Sequence, residues 1–119
     1  MALQKYLDEQ CEIFQFKWVT VISSDGLTIC SSGIDESFDL AALLPHWMKT
    51  SHELARATKL EQGMGLICLV PESGSHLLLM KDFELTGERI LILIAAPKMP
   101  KKAAKTVKKI CVEIEKLLV

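Results

Sequence analysis

The chain has 119 residues, enough for one domain, so residues 1–119 are expected to fold as a single unit. Half of the residues are hydrophobic and the net charge is −1, which leaves little polar surface for a monomer and favours an oligomer. Only two arginines are present and the Lys-rich segment 98–119 has no aromatic residue, which argues against nucleic-acid binding, while the longest apolar run, 90–96, is too short for membrane insertion.

The first predicted element is a helix over residues 2–14, and the next two are the strands of a β-hairpin, over residues 16–23 and 27–32. The strands contain runs of β-branched and apolar residues, and Asp25 and Gly26 between them supply the positive φ angles of a tight turn. The helix has one apolar face, formed at spacings of four, four and three residues by Leu3, Leu7, Cys11 and Phe14.

A long helix is predicted to begin within residues 35–39, which contain three suitable N-cap residues, and to end near Leu60, before Gly63. Pro45 falls inside this segment, where a proline costs a helix about 3 kcal/mol. We therefore expect a short turn over residues 38–43 that leads, or kinks, into the main helix. The predicted apolar stripe consists of Leu40, Leu44, Trp47, Ser51, Leu54 and Thr58, widened by Leu43, Met48 and Ala55.

The second half of the chain is predicted to contain three strands and a closing helix. The strands cover residues 66–70, 76–81 and 89–96, separated by a turn at 72–75 and a loop at 82–88. The closing helix is amphipathic, because most of its lysines lie off a stripe formed by Ala103, Val107, Ile110, Ile114 and Leu117.

These elements define the predicted fold class. Their order is helix, strand, strand, helix, strand, strand, strand, helix, and tight links join the strand pairs. The fold is therefore predicted to be α+β, with a mainly antiparallel five-stranded sheet and helices on both faces.

The cysteines and the N-terminus predict a cytoplasmic protein. Each of the four cysteines lies in an apolar run and none forms a Cys-x-x-Cys pair, which predicts free, reduced thiols. Acidic residues also occupy the positions where a signal peptide would need apolar ones, so no signal peptide is expected.

Charge is distributed unevenly along the chain. Residues 1–97 carry 7 basic and 13 acidic groups, a net charge of −6, whereas residues 98–119 carry 7 basic and 2 acidic groups, a net charge of +5. A solvated helix face is the simpler interpretation of the closing lysines, and a surface for an acidic protein or membrane is the alternative.

Four features in this order resemble the roadblock/dynein light chain family, over about residues 3–118. They are the hairpin with Asp25-Gly26-Leu27, the Ser31-Ser32-Gly33 exit into a Leu- and Ala-rich helix, the strand pair around residues 71–75, and the Leu85-Thr86-Gly87 loop before an apolar last strand. The chain departs from the family pattern at Pro45 and at His46-Trp47, where small residues are more usual.

The resemblance implies a homodimer, or a heterodimer with a paralogue, in which the strand after the long helix pairs with its copy and the two long helices lie side by side. It also implies a non-enzymatic scaffold or regulator, without a cofactor, that binds a small Ras-like GTPase. We predict sheet pairing through Gly65, Leu66, Ile67, Cys68, Leu69 and Val70, and dimer or partner contact through His46, Trp47, Lys49, Thr50, Glu53 and Arg56.

The residues themselves support the dimer. Residues 66–70 contain no charge and no proline, so an exposed edge strand of this sequence would be an aggregation site. Pairing with a second copy would satisfy its hydrogen bonds, and a central position in a monomer is the alternative. Trp47 likewise has two interpretations, because it is either part of the core stripe or an anchor for a partner.

No arrangement of residues indicates catalysis, a metal site or a phosphate-binding loop. His46 and His52 are six residues apart and fall on different helix faces, and no glycine-rich nucleotide motif is present. Arg56 and Arg89 are the candidates for an arginine finger, although solvated or ion-paired side chains are the simpler interpretation. The alternatives to a GTPase regulator are an adaptor subunit without GTPase dependence and a small-molecule sensor domain.

Overall fold

A computed structural model describes residues 2–33, 40–59, 66–72 and 74–118, and for residues 40–45 and 48 it describes the backbone only. The elements are α1 (Ala2–Phe14), β1 (Trp18–Ser23), β2 (Thr28–Ser32), α2 (Leu40–Ala57), β3 (Ile67–Leu69), β4 (Leu77–Leu85), β5 (Glu88–Ala96) and α3 (Ala103–Leu118). The predicted order of helices and strands is confirmed. None of the described helices is long and apolar enough to cross a membrane.

The described strands form one antiparallel sheet in the order β2-β1-β5-β4-β3. Alternate residues of the central strand β5 point to opposite faces, and seven of its nine residues are buried. On one face the apolar residues of β1, β4 and β5 pack with those of α1 and α3. The other face carries a second cluster, formed by Ile22, Met80, Leu91 and Leu93.

Helix α2 covers this second face. His52 of α2 hydrogen-bonds to Asp82 of β4, and Asp82 lies two residues after Met80 on the same face of the strand. The predicted α+β sheet with helices on both faces is therefore confirmed.

The predicted loop over residues 82–88 is wrong, because β4 and β5 continue through most of it. Phe83 and Leu85 pack against the core cluster on the α1 and α3 face, so the alternating strand pattern extends as far as Leu85. Only Thr86 and Gly87 form the turn, and their φ angles of 48° and 83° are those of a two-residue type I′ turn.

The β1–β2 turn also differs from the prediction, since only Gly26 has a positive φ, of 86°. The amide of Gly26 donates to the carbonyl of Ser23, and the amide of Ser23 donates to the carbonyl of Leu27, both at 2.9 Å. This pattern is a three-residue turn with a glycine bulge. A separate bulge lies further along β2, because Val21 pairs with Cys30 and Ile22 with Thr28, which leaves Ile29 as the extra residue.

Helix α2 includes most of the expected turn at its start, and it ends earlier than predicted. Residues 40–43 are helical, so the expected turn there is wrong, and Pro45 is accommodated inside the helix with the loss of one backbone hydrogen bond. The helix ends at Ala57, followed by Lys59 with a φ of 62°, so Gly63 does not terminate it. The predicted N-cap residues and Gly63 lie outside the described residues.

Candidate protein-interaction site

The two edges of the sheet differ in how they are protected. At the β2 edge, Gln4 of α1 donates a hydrogen bond to the carbonyl of Ser31 at 2.8 Å. The hydroxyl of Ser32 donates to the carboxylate of Asp8, and this bond, with one from Gln4, lowers the pKa of Asp8. Helix α1 therefore occupies the β2 edge with its own polar groups.

The β3 edge has no such cover among the described residues, since no side chain hydrogen-bonds to Ile67, Cys68 or Leu69. These three residues are half-buried, and Val70 next to them is 74% exposed. The paired strand is shorter than predicted, because Leu66 and Val70 flank it, and Gly65 lies outside the described residues.

The side chains of β3 alternate between the two faces of the sheet. Leu66 and Cys68 pack against the α1 and α3 side, whereas Ile67 and Leu69 pack against the α2 side. Partial burial of Cys68 raises the pKa of its thiol above the ordinary value. The edge is thus uncharged on both faces, and the thiol in it is a weak nucleophile.

The predicted apolar stripe of α2 is wrong in its second half. Ser51 and Ala55 are buried against the sheet, with exposures of 9% and 0%, whereas Trp47 and Leu54 are 42% and 58% exposed. Residues seven apart in a helix are rotated by only about 20°, so Trp47 and Leu54 lie on one flank. The core interpretation of Trp47 is therefore incorrect, and α2 presents an exposed apolar flank.

The outer crest of α2 is polar. His46, Thr50 and Glu53 are all exposed and lie on the side of the helix that faces away from the sheet. The crest separates the apolar flank of Trp47 and Leu54 from a second flank, which is basic and carries Lys49 and Arg56. The six residues predicted for dimer or partner contact therefore occupy three adjacent strips of one helix.

The basic flank borders an open cleft of about 400 Å³ between α2 and the β4–β5 hairpin. We call this space the basic cleft, and the residues that line it are Ser24, Lys49, His52, Arg56, Asp82, Arg89 and Leu91. Lys49, His52 and Arg56 share one side of α2 because they are three and four residues apart.

A buried aspartate lies at the centre of the basic cleft. The Asp82 side chain is only 6% exposed, and His52 Nε2 donates to its carboxylate oxygens at 2.9 Å. The guanidinium of Arg89 lies 3.6 Å from the same carboxylate. Because a buried carboxylate is costly without partners, these contacts hold His52, and with it α2, at a fixed position over the sheet.

Asp82 was not predicted as part of this site, and Arg89 was predicted only as a candidate arginine finger. Asp82 was predicted to lie in a loop, whereas it occupies a sheet-facing position of β4 two residues after the buried Met80. A charged residue in phase with buried apolar ones is a signal that a partner is required. That signal becomes visible only when the strand is extended to Leu85.

The described part of the chain offers no metal site, since no three His, Cys, Asp or Glu side chains are grouped closely enough to ligate an ion. The four cysteines are free, and burial raises the pKa of Cys111 to about 12. The site is composed of the β3 edge, an apolar flank, a polar crest and the basic cleft, which are features of a binding surface.

Comparisons with known proteins agree with this architecture. The sequence matches no protein-family model and no curated protein. The structure is similar to Myxococcus xanthus MglB, with a TM-score of 0.75 and 19% identity over 99% of this chain and 95% of that chain. The fold is of the roadblock type.

Two further structures of this roadblock-type fold are similar. The gliding protein MglB from Thermus thermophilus has a TM-score of 0.68 and 17% identity over 95% of this chain and 84% of that chain. A structure described as MglB with a tetrameric arrangement has a TM-score of 0.65 and 17% identity over 95% and 90% of the two chains. The likeness supports the predicted resemblance at the level of the fold.

Proposed function

We propose that two copies of this chain join through β3 and form one continuous sheet. The β3 edge carries this proposal, because it is uncharged and has no cover among the described residues, while the opposite edge is occupied by α1. Pairing of Ile67, Cys68 and Leu69 with the same residues of a second copy would satisfy the open backbone groups. The MglB structure with a tetrameric arrangement provides a precedent for self-association on this fold.

The apolar flank of α2 is proposed to join the same interface. Trp47 and Leu54 are exposed in a single chain, and Ile67 and Leu69 are only half-buried on the sheet face that α2 covers. Burial of a tryptophan and a leucine between two α2 helices contributes roughly 2 kcal/mol for each side chain. The seam would leave the polar crests of both helices exposed side by side.

The crests and basic flanks of the paired helices are proposed to bind a small Ras-like GTPase, so that the protein acts as a non-enzymatic regulator or scaffold. The roadblock-type fold supports this function, because the family it resembles binds such GTPases through this helix pair. His46, Thr50 and Glu53 would make the central contacts, and Lys49 and Arg56 would lie beside them.

A pull-down from a lysate of the source organism tests this function. The protein is immobilised and exposed to lysate with GDP or with a non-hydrolysable GTP analogue. Retention of a small GTPase in one nucleotide state supports a regulator. Retention of other proteins equally in both states would instead favour an adaptor subunit without GTPase dependence.

A matched pair of threonine variants locates the binding surface in the same assay. Thr50→Arg places a bulky charge on the α2 crest, whereas Thr28→Arg makes the same change at an exposed position of β2. We expect Thr50→Arg to abolish retention of the GTPase and Thr28→Arg to preserve it. Equal retention by both variants would exclude the α2 crest as the contact surface.

A further inference from the structure

The basic cleft gathers both arginines of the chain in one place. Arg56 comes from α2 and Arg89 from the start of β5, 33 positions later in the sequence, and Lys49 joins them two turns before Arg56. With His52 neutral, three cations and one carboxylate give the lining a formal charge of +2. The positive charge of the cleft contrasts with the net charge of residues 1–97 as a whole, which is −6.

Two of the three cations have no acidic partner within the described part of the chain. Asp82 is shared by His52 and Arg89, whereas no carboxylate there lies within 4.0 Å of the Lys49 or Arg56 side chains. The neighbouring acids do not change this. Glu53 on α2, and Glu84 opposite Arg89 in the β4–β5 register, are exposed and lie outside the lining of the cleft.

The buried Asp82 orders part of the cleft before any ligand arrives. Its carboxylate holds the imidazole of His52 at 2.9 Å and the Arg89 guanidinium at 3.6 Å. A guanidinium has five N–H donors, so one contact with Asp82 leaves other donors of Arg89 available. The guanidinium of Arg89 can therefore bind a second carboxylate with two parallel hydrogen bonds.

We propose that the basic cleft receives the carboxylate of an aspartate or glutamate side chain from the protein partner. The cleft is open and its cations are exposed, which suits the charged rim of a protein interface better than an enclosed small-molecule pocket. It also adjoins the polar crest of α2 through Lys49 and Arg56. The identity of the partner as a GTPase rests on the proposed function, whereas the carboxylate specificity does not.

A titration with a capped hexaglutamate peptide tests the carboxylate site without any GTPase. Isotope-labelled protein is followed by NMR, and we expect the shift changes to cluster at Lys49, Arg56 and Arg89. The Arg56→Glu variant should weaken peptide binding at least about tenfold, whereas Lys105→Glu, the same kind of charge reversal on exposed α3, should change it less than about twofold.

The lysines of α3 form a competing positive surface for the peptide. Non-specific attraction would direct the peptide to α3, because residues 98–119 carry a net charge of +5. Shift changes confined to α3, or equal losses in Arg56→Glu and Lys105→Glu, would overturn the proposal. The spectra of both variants report whether each remains folded, and Lys49→Glu serves as a second cleft variant.

Two further measurements, a competition with phosphate and a capture of the GTPase, distinguish failure of the cleft proposal from failure of the proposed function. Inorganic phosphate that binds the cleft more tightly than the peptide and displaces it would show a phosphate site instead. A GTPase that is captured equally well by wild type and Arg56→Glu would contradict the cleft proposal alone. Peptide binding in the cleft, together with no captured GTPase, would refute the proposed function and leave the carboxylate site standing.

Discussion

Gly33 and Gly87 have nearly the same backbone conformation but very different surroundings. Their φ angles are 82° and 83°. A Cβ atom added at Gly33 would lie 2.4 Å from the carbonyl oxygen of Lys17 and 3.0 Å from the Cα of Trp18, both of them backbone atoms. At Gly87 nothing lies within 4 Å of the added atom. A comparison of Gly33→Ala with Gly87→Ala therefore separates the cost of backbone strain from the cost of steric overlap.

The expected losses in the free energy of unfolding follow from the backbone conformation and from these distances. A left-handed conformation costs a residue with a Cβ about 1–2 kcal/mol, and this cost applies to both Gly33→Ala and Gly87→Ala. At Gly33 the end of β2 must also move away from the start of β1, and such overpacking adds about 1–3 kcal/mol. We expect Gly33→Ala to reduce the free energy of unfolding by about 2 kcal/mol more than Gly87→Ala does.

Urea denaturation followed by circular dichroism measures this difference. With a denaturant slope of about 1–3 kcal/mol per molar, the extra loss shifts the unfolding midpoint by roughly 1 M. Equal destabilisation by the two variants would contradict the steric overlap at Gly33, since it would mean that the nearby Lys17 backbone does not constrain the exit from β2.

Three other predictions concern the attachment of α2, a partly buried phenol and a helix end. In a double-mutant cycle of His52→Ala and Asp82→Ala, we expect a coupling energy of about 1–2 kcal/mol in the free energy of unfolding, and additive losses would contradict the attachment. Partial burial, with a smaller repulsion from Glu113, raises the pKa of Tyr6 to about 12. The absorbance of the tyrosinate should therefore titrate near pH 12, and a midpoint near pH 10 would contradict the burial of the phenol. Because the folded state holds this proton more tightly, its contribution to stability is present below pH 10 and is lost as the pH rises towards 12. Lys59→Gly should stabilise the protein by about 0.5–1 kcal/mol in thermal unfolding, since Lys59 has a φ of 62° at the end of α2, and a lower melting temperature would be inconsistent with that helix end.

Much of the fold could be predicted from local pattern. The helix over residues 2–14 and the stripe of the closing helix follow from apolar spacing, and the strands follow from β-branched runs broken by glycine and proline. The extent of β4 could not be predicted as easily, because Asp82 and Glu84 resemble loop residues. They are compatible with a strand because Asp82 is paired by His52 and Glu84 is exposed.

The faces of α2 show why the candidate site was harder to predict than the fold. Trp47 with Leu54 and Met48 with Ala55 give two apolar sets at the same seven-residue spacing, and periodicity alone does not decide which one packs on the sheet. The structure buries Ala55 and exposes Leu54.

The edge position of β3 also depends on topology. Residues 66–70 are as apolar as the central strand, so their sequence does not distinguish an edge from the middle of a sheet. The basic cleft is a long-range feature as well, because Arg56 and Arg89 meet there only when α2 lies over the β4–β5 hairpin.

The proposed function depends on a dimer in which two copies join at β3 and thereby align their α2 helices for a partner. Light scattering at micromolar concentration tests it most directly, with Val70→Lys at the β3 edge and Leu27→Lys near the β2 edge as a matched pair. Both side chains are largely exposed in a single chain, at 74% and 68%, so neither change disturbs the core. We expect a dimeric mass for wild type and Leu27→Lys and a monomeric mass for Val70→Lys. A monomeric wild type, or a dimer broken only by Leu27→Lys, would contradict it.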